Sequence, residues 1–203
     1  MTTATKLDFY FDVLCPFAWR TSLWIRQVTG QQPLTIRWKQ LSLALVNGQA
    51  EESPFFQRDL ALGRTFVAAE RVGGLEAADR LYLALGDAIH GQQVDPLEDG
   101  VLSGALAAAK LPADLFTTAL ADPATTRAYL DSHEEGLRLG AFGVPTLRLD
   151  GGGRAFYGPI VDPVPTGGQA LELWDYTRWV LERPYLWELK RERTYQPGAQ
   201  RAI

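Results

Sequence analysis

The stretch Phe9-Tyr-Phe-Asp-Val-Leu-Cys-Pro-Phe-Ala-Trp19 contains the only cysteine of the chain, Cys15. Before it, apolar and polar side chains alternate, which is typical of a strand, and we expect this strand to cover residues 6–13. The alternation sets Leu7, Phe9, Phe11 and Val13 against Lys6, Asp8, Tyr10 and Asp12. Pro16 suits the first turn of a helix, and a helical pattern follows. The sequence therefore places Cys15 between a strand and a helix N-terminus.

This position of Cys15 favours a reactive thiolate. A helix N-terminus stabilises an anion through its N–H groups and its dipole, and a thiol placed there ionises more easily. The apolar neighbours Pro16, Phe17 and Trp19 oppose ionisation through desolvation, and the nearest cation in the sequence is Arg20. We expect the helix to prevail, giving a solvent-reachable sulfur with a lowered pKa. The alternative is a buried cysteine acting as a small apolar side chain.

The segment Cys15-Pro-Phe-Ala18 resembles the active-site segment of thioredoxin-fold oxidoreductases, in particular their DsbA-like branch. The longer string from Phe11 to Ser22 is similar to the mycothiol-dependent nitroreductase-like proteins within that branch. The resemblance implies an α/β, thioredoxin-like fold of the order βαβ…ββα with a large all-helical insertion, and it implies that Cys15 is catalytic. Ala18 stands where dithiol relatives carry a second cysteine, so this chain cannot form their internal disulfide.

Composition narrows the function further. The 203 residues are 46% hydrophobic and 22% charged, with a net charge of −4, which is typical of a globular protein without a nucleic-acid-binding surface. One cysteine and two histidines make a zinc-type metal site improbable. We see no signal peptide at the N-terminus and no membrane-spanning run. We therefore expect a cytoplasmic monomer or homodimer with no nucleic-acid or membrane partner.

A second strand is predicted at residues 34–41, which makes a parallel βαβ unit with the first. Helices are expected to fill residues 54–140, with a break at Gly73-Gly74 and a new helix starting from Asp95-Pro96. This organisation predicts a thioredoxin-like domain, residues 1–42 plus 143–203, and a helical insertion domain, residues 43–142. The remaining elements are predicted as strands at 146–149 and 153–157, a helix from Gly167 to Leu181, a possible turn of helix within 186–193, and a loose tail from Pro197 to Ile203.

The segment Gly143-Val-Pro-Thr146 is the second candidate for the site. Its resemblance to thioredoxin-fold proteins implies a cis bond between Val144 and Pro145, close to Cys15, with Val144 offering backbone groups to a bound thiol. Thr146 opens the following strand and belongs to the same predicted thiol-binding segment. The alternative is a proline that only ends a helix before a strand.

Two further residues have two interpretations each. Asn47 resembles an asparagine near the thiol cleft of the nitroreductase-like proteins, but it also suits a turn before Gly48. His90 occupies a position where that subgroup carries a histidine, but a helix-end cation stabilised by the dipole is the favoured interpretation. Trp19, like Trp24, is mainly expected in the core, but Phe17 and Trp19 beside the thiol could form an aromatic wall for a flat substrate.

These residues favour a monothiol oxidoreductase. Its cosubstrate would be a low-molecular-weight thiol, mycothiol or a glutathione-like one, and its substrates disulfides, mixed disulfides or nitroaromatic-type electrophiles. The first alternative is a transferase or isomerase similar to kappa-class glutathione transferases and 2-hydroxychromene-2-carboxylate isomerases, in which the protein steadies a thiolate without a covalent bond. The second is a non-catalytic protein that binds a thiol or another ligand.

Overall fold

The computed structural model describes residues 5–192, 194 and 196–203. Its strands and helices, in chain order, are β1 (Thr5–Phe11), α1 (Pro16–Thr29), β2 (Leu34–Gln40), α2 (Leu43–Val46), α3 (Pro54–Gly86), a π-helical turn (Asp87–Gly91), α4 (Val101–Ala108), α5 (Leu115–Ala121), α6 (Pro123–Arg138), β3 (Thr146–Leu149), β4 (Phe156–Tyr157) and α7 (Gly167–Leu181). Among the described residues, no helix combines the length and the apolar character needed to cross a membrane. Residues 1–4, at which we looked for a signal peptide, lie outside the described part, as do 193 and 195 near the predicted turn of helix.

The strands form one mixed sheet in the order β2-β1-β3-β4. β1 runs parallel to β2, with Leu7 opposite Ile36, and antiparallel to β3, with Phe9 opposite Leu147. Helices α1 and α7 pack together beside this sheet. This is the βαβ…ββα arrangement that the resemblance implied, and the predicted fold class is confirmed.

The predicted bounds of β1 and β4 need correction. β1 stops at Phe11, because the Asp12 carbonyl accepts a hydrogen bond from the Cys15 N–H at 3.0 Å and closes a turn. β4 has only two residues. The Ala155 N–H donates to Leu139 O at 2.8 Å, so the backbone before β4 bonds to the loop that precedes β3 and does not extend the strand.

Helices fill most of the middle of the chain. Every residue of 54–140 is described, and none of them lies in a strand. Gly73 and Gly74 have non-helical dihedral angles and divide α3 into two helical segments, as predicted. Asp95-Pro96 does not begin a helix: α4 begins at Val101, after Gly100 in the left-handed conformation with φ 84°. The division into a thioredoxin-like domain and an insertion domain stays a proposal.

Aromatic side chains join the sheet to the long helix α3. Phe11 of β1 stacks on Tyr82 with ring centroids 4.1 Å apart and meets Phe66 edge-on at 5.2 Å. Trp38 of β2 and Trp19 of α1 also contact Tyr82. One continuous buried cluster therefore runs from the sheet into the helices of the middle segment.

The C-terminal tail is docked rather than loose, which corrects our prediction. Gly198 O accepts from Arg20 at 3.1 Å, and Gln200 O accepts from the Trp19 indole N–H at 2.7 Å. The Ala202 N–H donates to Asp87 Oδ1 at 2.7 Å. The periodic pattern gave no sign of this, because the tail is held through its backbone groups by side chains of α1 and of the π-helical turn.

Candidate active site

Cys15 is the N-cap residue of α1, directly before Pro16. The Ala18 N–H donates to Cys15 Sγ at 3.5 Å, so the sulfur takes the part that a serine or aspartate oxygen takes at most helix N-termini. The thiol in turn faces the carbonyl oxygen of Val144, with Sγ 3.8 Å from that atom. The structure therefore places the thiol at the positive end of the α1 dipole.

The sulfur is recessed, contrary to our expectation of a solvent-reachable thiol. Cys15 is only 5% exposed and belongs to the buried cluster. The cause lies in the tertiary structure, since the loop that carries Val144 closes over the thiol. Pro16 and Phe17 are half-buried, so the surface begins one residue away from Cys15.

The Gly143–Thr146 segment has the predicted position. The Val144–Pro145 peptide bond is cis, in agreement with the expectation, and the carbonyl of Val144 contacts the thiol. The buried hydroxyl of Thr146 donates to Gly143 O at 2.7 Å, and the Gly158 N–H donates to Pro145 O at 2.8 Å. These bonds fix the loop against β4 and hold it beside Cys15.

His90 contacts the cysteine loop and is not a helix-end cation. Its Nε2 lies 2.7 Å from Val13 O, and because a carbonyl only accepts, this nitrogen carries the proton. The ring stacks on Trp19 with centroids 6.1 Å apart. Burial lowers the pKa of His90, which favours a neutral imidazole. The interpretation that we had favoured is therefore wrong, and His90 supports the loop that carries Cys15.

Three other residues near the predicted site do not line a substrate cleft in this structure. Trp19 is fully buried, so it supports the site from below and offers no wall to a substrate. Arg20 is also buried and forms an ion pair with Asp162. Asn47 lies exposed at the end of α2 with Gly48 after it at φ 66°, as expected for the turn interpretation.

Sequence analysis missed Asp12, whose side chain shapes the loop that carries Cys15. Asp12 is 2% exposed. Its Oδ1 accepts from the Leu14 N–H at 2.8 Å, and its Oδ2 accepts from the Leu43 N–H at 3.0 Å. The carboxyl therefore ties this loop to the first residue of α2.

A second buried carboxyl, that of Asp59 in α3, lies beside Asp12 and is 4% exposed. The Ser42 hydroxyl donates to one of its oxygens, and the Tyr129 hydroxyl donates to the other at 2.8 Å. Burial, followed by the neighbouring charge of Asp59, raises the pKa of Asp12 to about 8. Burial also raises the pKa of Asp59, against the lowering effect of Ser42 and Tyr129. The pair therefore retains a proton near neutral pH.

With this geometry in view, the comparisons with known proteins become informative. The sequence profile of the family described as "Rv2466c-like: Mycothiol-dependent nitroreductase Rv2466c" matches residues 14–191. The chain belongs to this family. A relative from Mycobacterium tuberculosis, the uncharacterized protein Rv2286c, is 34% identical over 193 residues, which are 94% of this chain and 83% of that protein.

Solved structures share the fold of this Rv2466c-like chain at low sequence identity. A 2-hydroxychromene-2-carboxylate isomerase has a TM-score of 0.62 at 21% identity, over 86% of this chain and 93% of its own. The cytosolic disulfide reductase DsbM from Pseudomonas aeruginosa has a TM-score of 0.59 at 18% identity, over 86% and 99%, and is also solved with GSH. Membership of the Rv2466c-like family supports thiol-dependent oxidoreductase chemistry in general, and the solved neighbours show that the fold is shared.

The described residues of the Rv2466c-like chain contain no group of three or more His, Cys, Asp or Glu side chains that could hold a metal ion. The groups present at the site are one thiol, a helix N-terminus and backbone carbonyl groups.

Sequence analysis missed Asp12 because the strand before it, β1, is covered on both faces, so that Asp8 and Tyr10 are buried as well. The available signal was an aspartate at the end of a strand, which suits a turn stabilised by its own side chain.

Proposed function

We propose that the chain is a monothiol oxidoreductase in which Cys15 is the nucleophile and a low-molecular-weight thiol of the mycothiol type is the cosubstrate. The observation that carries the proposal is the position of Cys15 Sγ, between the Ala18 N–H at the start of α1 and the Val144 carbonyl before the cis proline. The family description, which names mycothiol, and the GSH-bound DsbM support the choice of cosubstrate.

The proposed cycle has two exchange steps. The thiolate of Cys15 attacks one sulfur of a disulfide, a sulfur–sulfur bond forms at Cys15, and the other sulfur leaves as a thiolate. An external thiolate then attacks this mixed disulfide and releases Cys15 as a thiolate. With a nitroaromatic substrate, two external thiols supply two electrons and leave as one disulfide, while the nitro group loses an oxygen as water. A reducing compartment such as the cytoplasm suits this cycle, because it supplies the external thiol.

The surrounding residues have separate roles in this proposal. The N-terminus of α1, with Pro16 in its first turn, stabilises the thiolate. The backbone of Val144 and Pro145 is the proposed binding site for the cosubstrate, and the half-buried Phe17 lies two residues after the thiol. Thr146, the third predicted thiol-binding residue, has a buried hydroxyl bonded to Gly143 O and therefore fixes the segment. Asn47 stays a weaker candidate, because its observed contacts belong to the end of α2.

A transferase or isomerase is the second candidate. The burial of Cys15 at 5% exposure favours it, because a recessed group can steady a cosubstrate thiolate without forming a bond to it. The two candidates differ in one measurable respect, the covalent adduct at Cys15.

Intact mass spectrometry tests the proposal. After exposure to mycothiol disulfide or glutathione disulfide, the protein should gain the mass of one thiol, and reduction should remove it. Cys15→Ser should lose both the adduct and thiol-dependent turnover while keeping its fold, as judged by circular dichroism. If Cys15→Ser kept full turnover, covalent catalysis would be wrong and the isomerase or transferase candidate would replace it.

A matched variant sharpens this test. Ala18→Cys restores a second sulfur at the residue whose N–H already bonds to Cys15 Sγ at 3.5 Å. We expect this variant to form an internal disulfide and to release the bound thiol, so the mixed disulfide should accumulate in the wild-type protein and disappear in the variant. Equal accumulation in both proteins would contradict the assignment of the attacked sulfur.

A further inference from the structure

Two aromatic side chains form an exposed pair beside the loop of the cis proline. Phe142 is 68% exposed and Tyr157 is 36% exposed. Their rings stack with centroids 5.2 Å apart and an interplanar angle of 25°. Single exposed apolar side chains are ordinary, but a stacked exposed pair beside the segment that contacts the thiol is a recognisable binding feature.

The pair is adjacent to the thiol through the backbone. Phe142 precedes Val144 by two residues, which limits the distance between their Cα atoms to about 7 Å, and the carbonyl of Val144 lies 3.8 Å from Cys15 Sγ. Tyr157 lies opposite Thr146 in the sheet. The two rings therefore reach the same loop from its two ends.

The loop leaves room for this arrangement because Gly143 has no side chain. A Cβ at Gly143 would lie 3.3 Å from the ring of Tyr157, so the ring rests directly on the backbone between Phe142 and Val144. Phe142, in contrast, buries little of its surface against the protein. Its ring stabilises the fold only weakly and is available to an incoming molecule.

We propose that Phe142 and Tyr157 form an aromatic subsite that binds the planar aromatic part of the electrophile attacked by Cys15. The inference rests on the proposed function and adds a preference among its disulfide substrates: aromatic disulfides should be preferred to aliphatic ones. Stacking on the exposed face of Phe142 would place the aromatic group beside the Val144 loop, with its reacting atom directed toward the thiol. The face is too small for a protein interface of ordinary size, which favours a small molecule.

The test compares two uncharged disulfide probes on the full chain. With 2,2′-dipyridyl disulfide, Cys15 forms a mixed disulfide and releases pyridine-2-thione, and with bis(2-hydroxyethyl) disulfide it releases 2-mercaptoethanol. Phe142→Ala should raise the half-saturating concentration of the aromatic probe about threefold to tenfold, as expected for one aromatic contact, and change that of the aliphatic probe less than twofold. Phe142→Trp should restore the wild-type value.

Control variants separate binding from structure. Tyr176→Ala removes an exposed aromatic ring from α7 and should leave both probes unaffected. If Phe142→Ala impaired both probes equally, or neither, the subsite would be refuted. If Cys15 reacted with neither probe in the wild-type protein, the proposed function would fail. In that case, calorimetric binding of 4-nitrobenzyl alcohol, measured without any added thiol so that it is not reduced, still decides the subsite. Phe142→Ala should weaken this binding by the same factor, and an unchanged affinity would refute the subsite.

Discussion

Replacing Asp12 by asparagine should change how the stability of the protein depends on pH. In the folded protein the pKa of Asp12 is raised from 3.8 to about 8 by burial and by Asp59. An asparagine keeps the shape and can still accept from the Leu14 N–H, but it cannot ionise. The variant therefore removes the titration of this carboxyl and keeps the hydrogen bond from the Leu14 N–H, while the Leu43 N–H loses its acceptor.

The sign follows from proton counting. Between about pH 4 and pH 8 the folded state retains the proton of Asp12, whereas the unfolded chain releases it, so rising pH favours unfolding. This stability is fully present below the unfolded pKa and is lost as the pH rises through the folded pKa. Each pH unit in the window is equivalent to about 1.4 kcal/mol for one group, so about 3 kcal/mol should disappear between pH 5 and pH 7.

The two histidines make the stability of the protein change with pH in the opposite direction, but their effect cancels when the two proteins are compared. Burial lowers the pKa of His90 and of His133, so the unfolded chain binds more protons than the folded one below about pH 6.5, and stability falls with falling pH. Both histidines are present in the wild-type protein and in Asp12→Asn. Their contributions cancel in the difference between the two free energies of unfolding.

The assay is urea denaturation of both proteins at pH 5, 6 and 7. The variant should be less stable at pH 5, because the Leu43 N–H also loses its acceptor, a cost of about 1–3 kcal/mol. The difference between the free energies of unfolding of the two proteins should then decrease by up to about 3 kcal/mol by pH 7. Thr21→Val is the control, since it removes a hydrogen bond to Pro159 O without removing a titratable group, and the difference between its free energy of unfolding and that of the wild type should stay constant. A difference for Asp12→Asn that did not change with pH would refute the reasoning.

Two further predictions concern packing. Removing residues 197–203 deletes three hydrogen bonds to side chains of α1 and the π-helical turn, each contributing about 1 kcal/mol. Because about 1 kcal/mol shifts the thermal midpoint of a chain of this size by about 2–4 °C, the midpoint in a calorimetric scan should fall by about 6–12 °C. An unchanged midpoint would mean that the tail is not docked in solution. Gly63→Ala places a methyl group on the ring of Tyr129 and should lower the free energy of unfolding in urea denaturation by about 1–3 kcal/mol. Gly104→Ala is the control, since its methyl group meets open space and should not destabilise the protein. Equal effects of the two variants would contradict the close packing of α3 on α6.

The part of the site that is local in sequence could be predicted. Cys15 at the junction of strand and helix and Pro16 in the first turn follow from the alternating pattern and from the preference of proline for that position. The cis bond before Pro145 came from the family resemblance, and the structure has it. In the same segment the Val144 carbonyl lies 3.8 Å from Cys15 Sγ. His90 was noticed but misinterpreted, since its contact with Val13 depends on how the middle helices fold back onto the sheet.

The sequence by itself determined the order of strands and helices, the presence of a single thiol and the absence of an internal disulfide. These properties depend on short-range periodicity, on turn residues and on the count of one cysteine, all of which can be read from the chain. The long run of helical pattern after the second strand likewise identified the middle of the chain as helical.

Only the tertiary structure decided what surrounds the thiol. Three features arise from contacts between segments far apart in the chain: the recessed sulfur of Cys15, the raised pKa of Asp12 beside Asp59, and the hydrogen bond from Trp19 to the C-terminal tail. Burial and the pKa shifts that follow from it depend on which groups meet in space. An alternating pattern cannot reveal this, because it distinguishes the two faces of a strand but not whether both are covered.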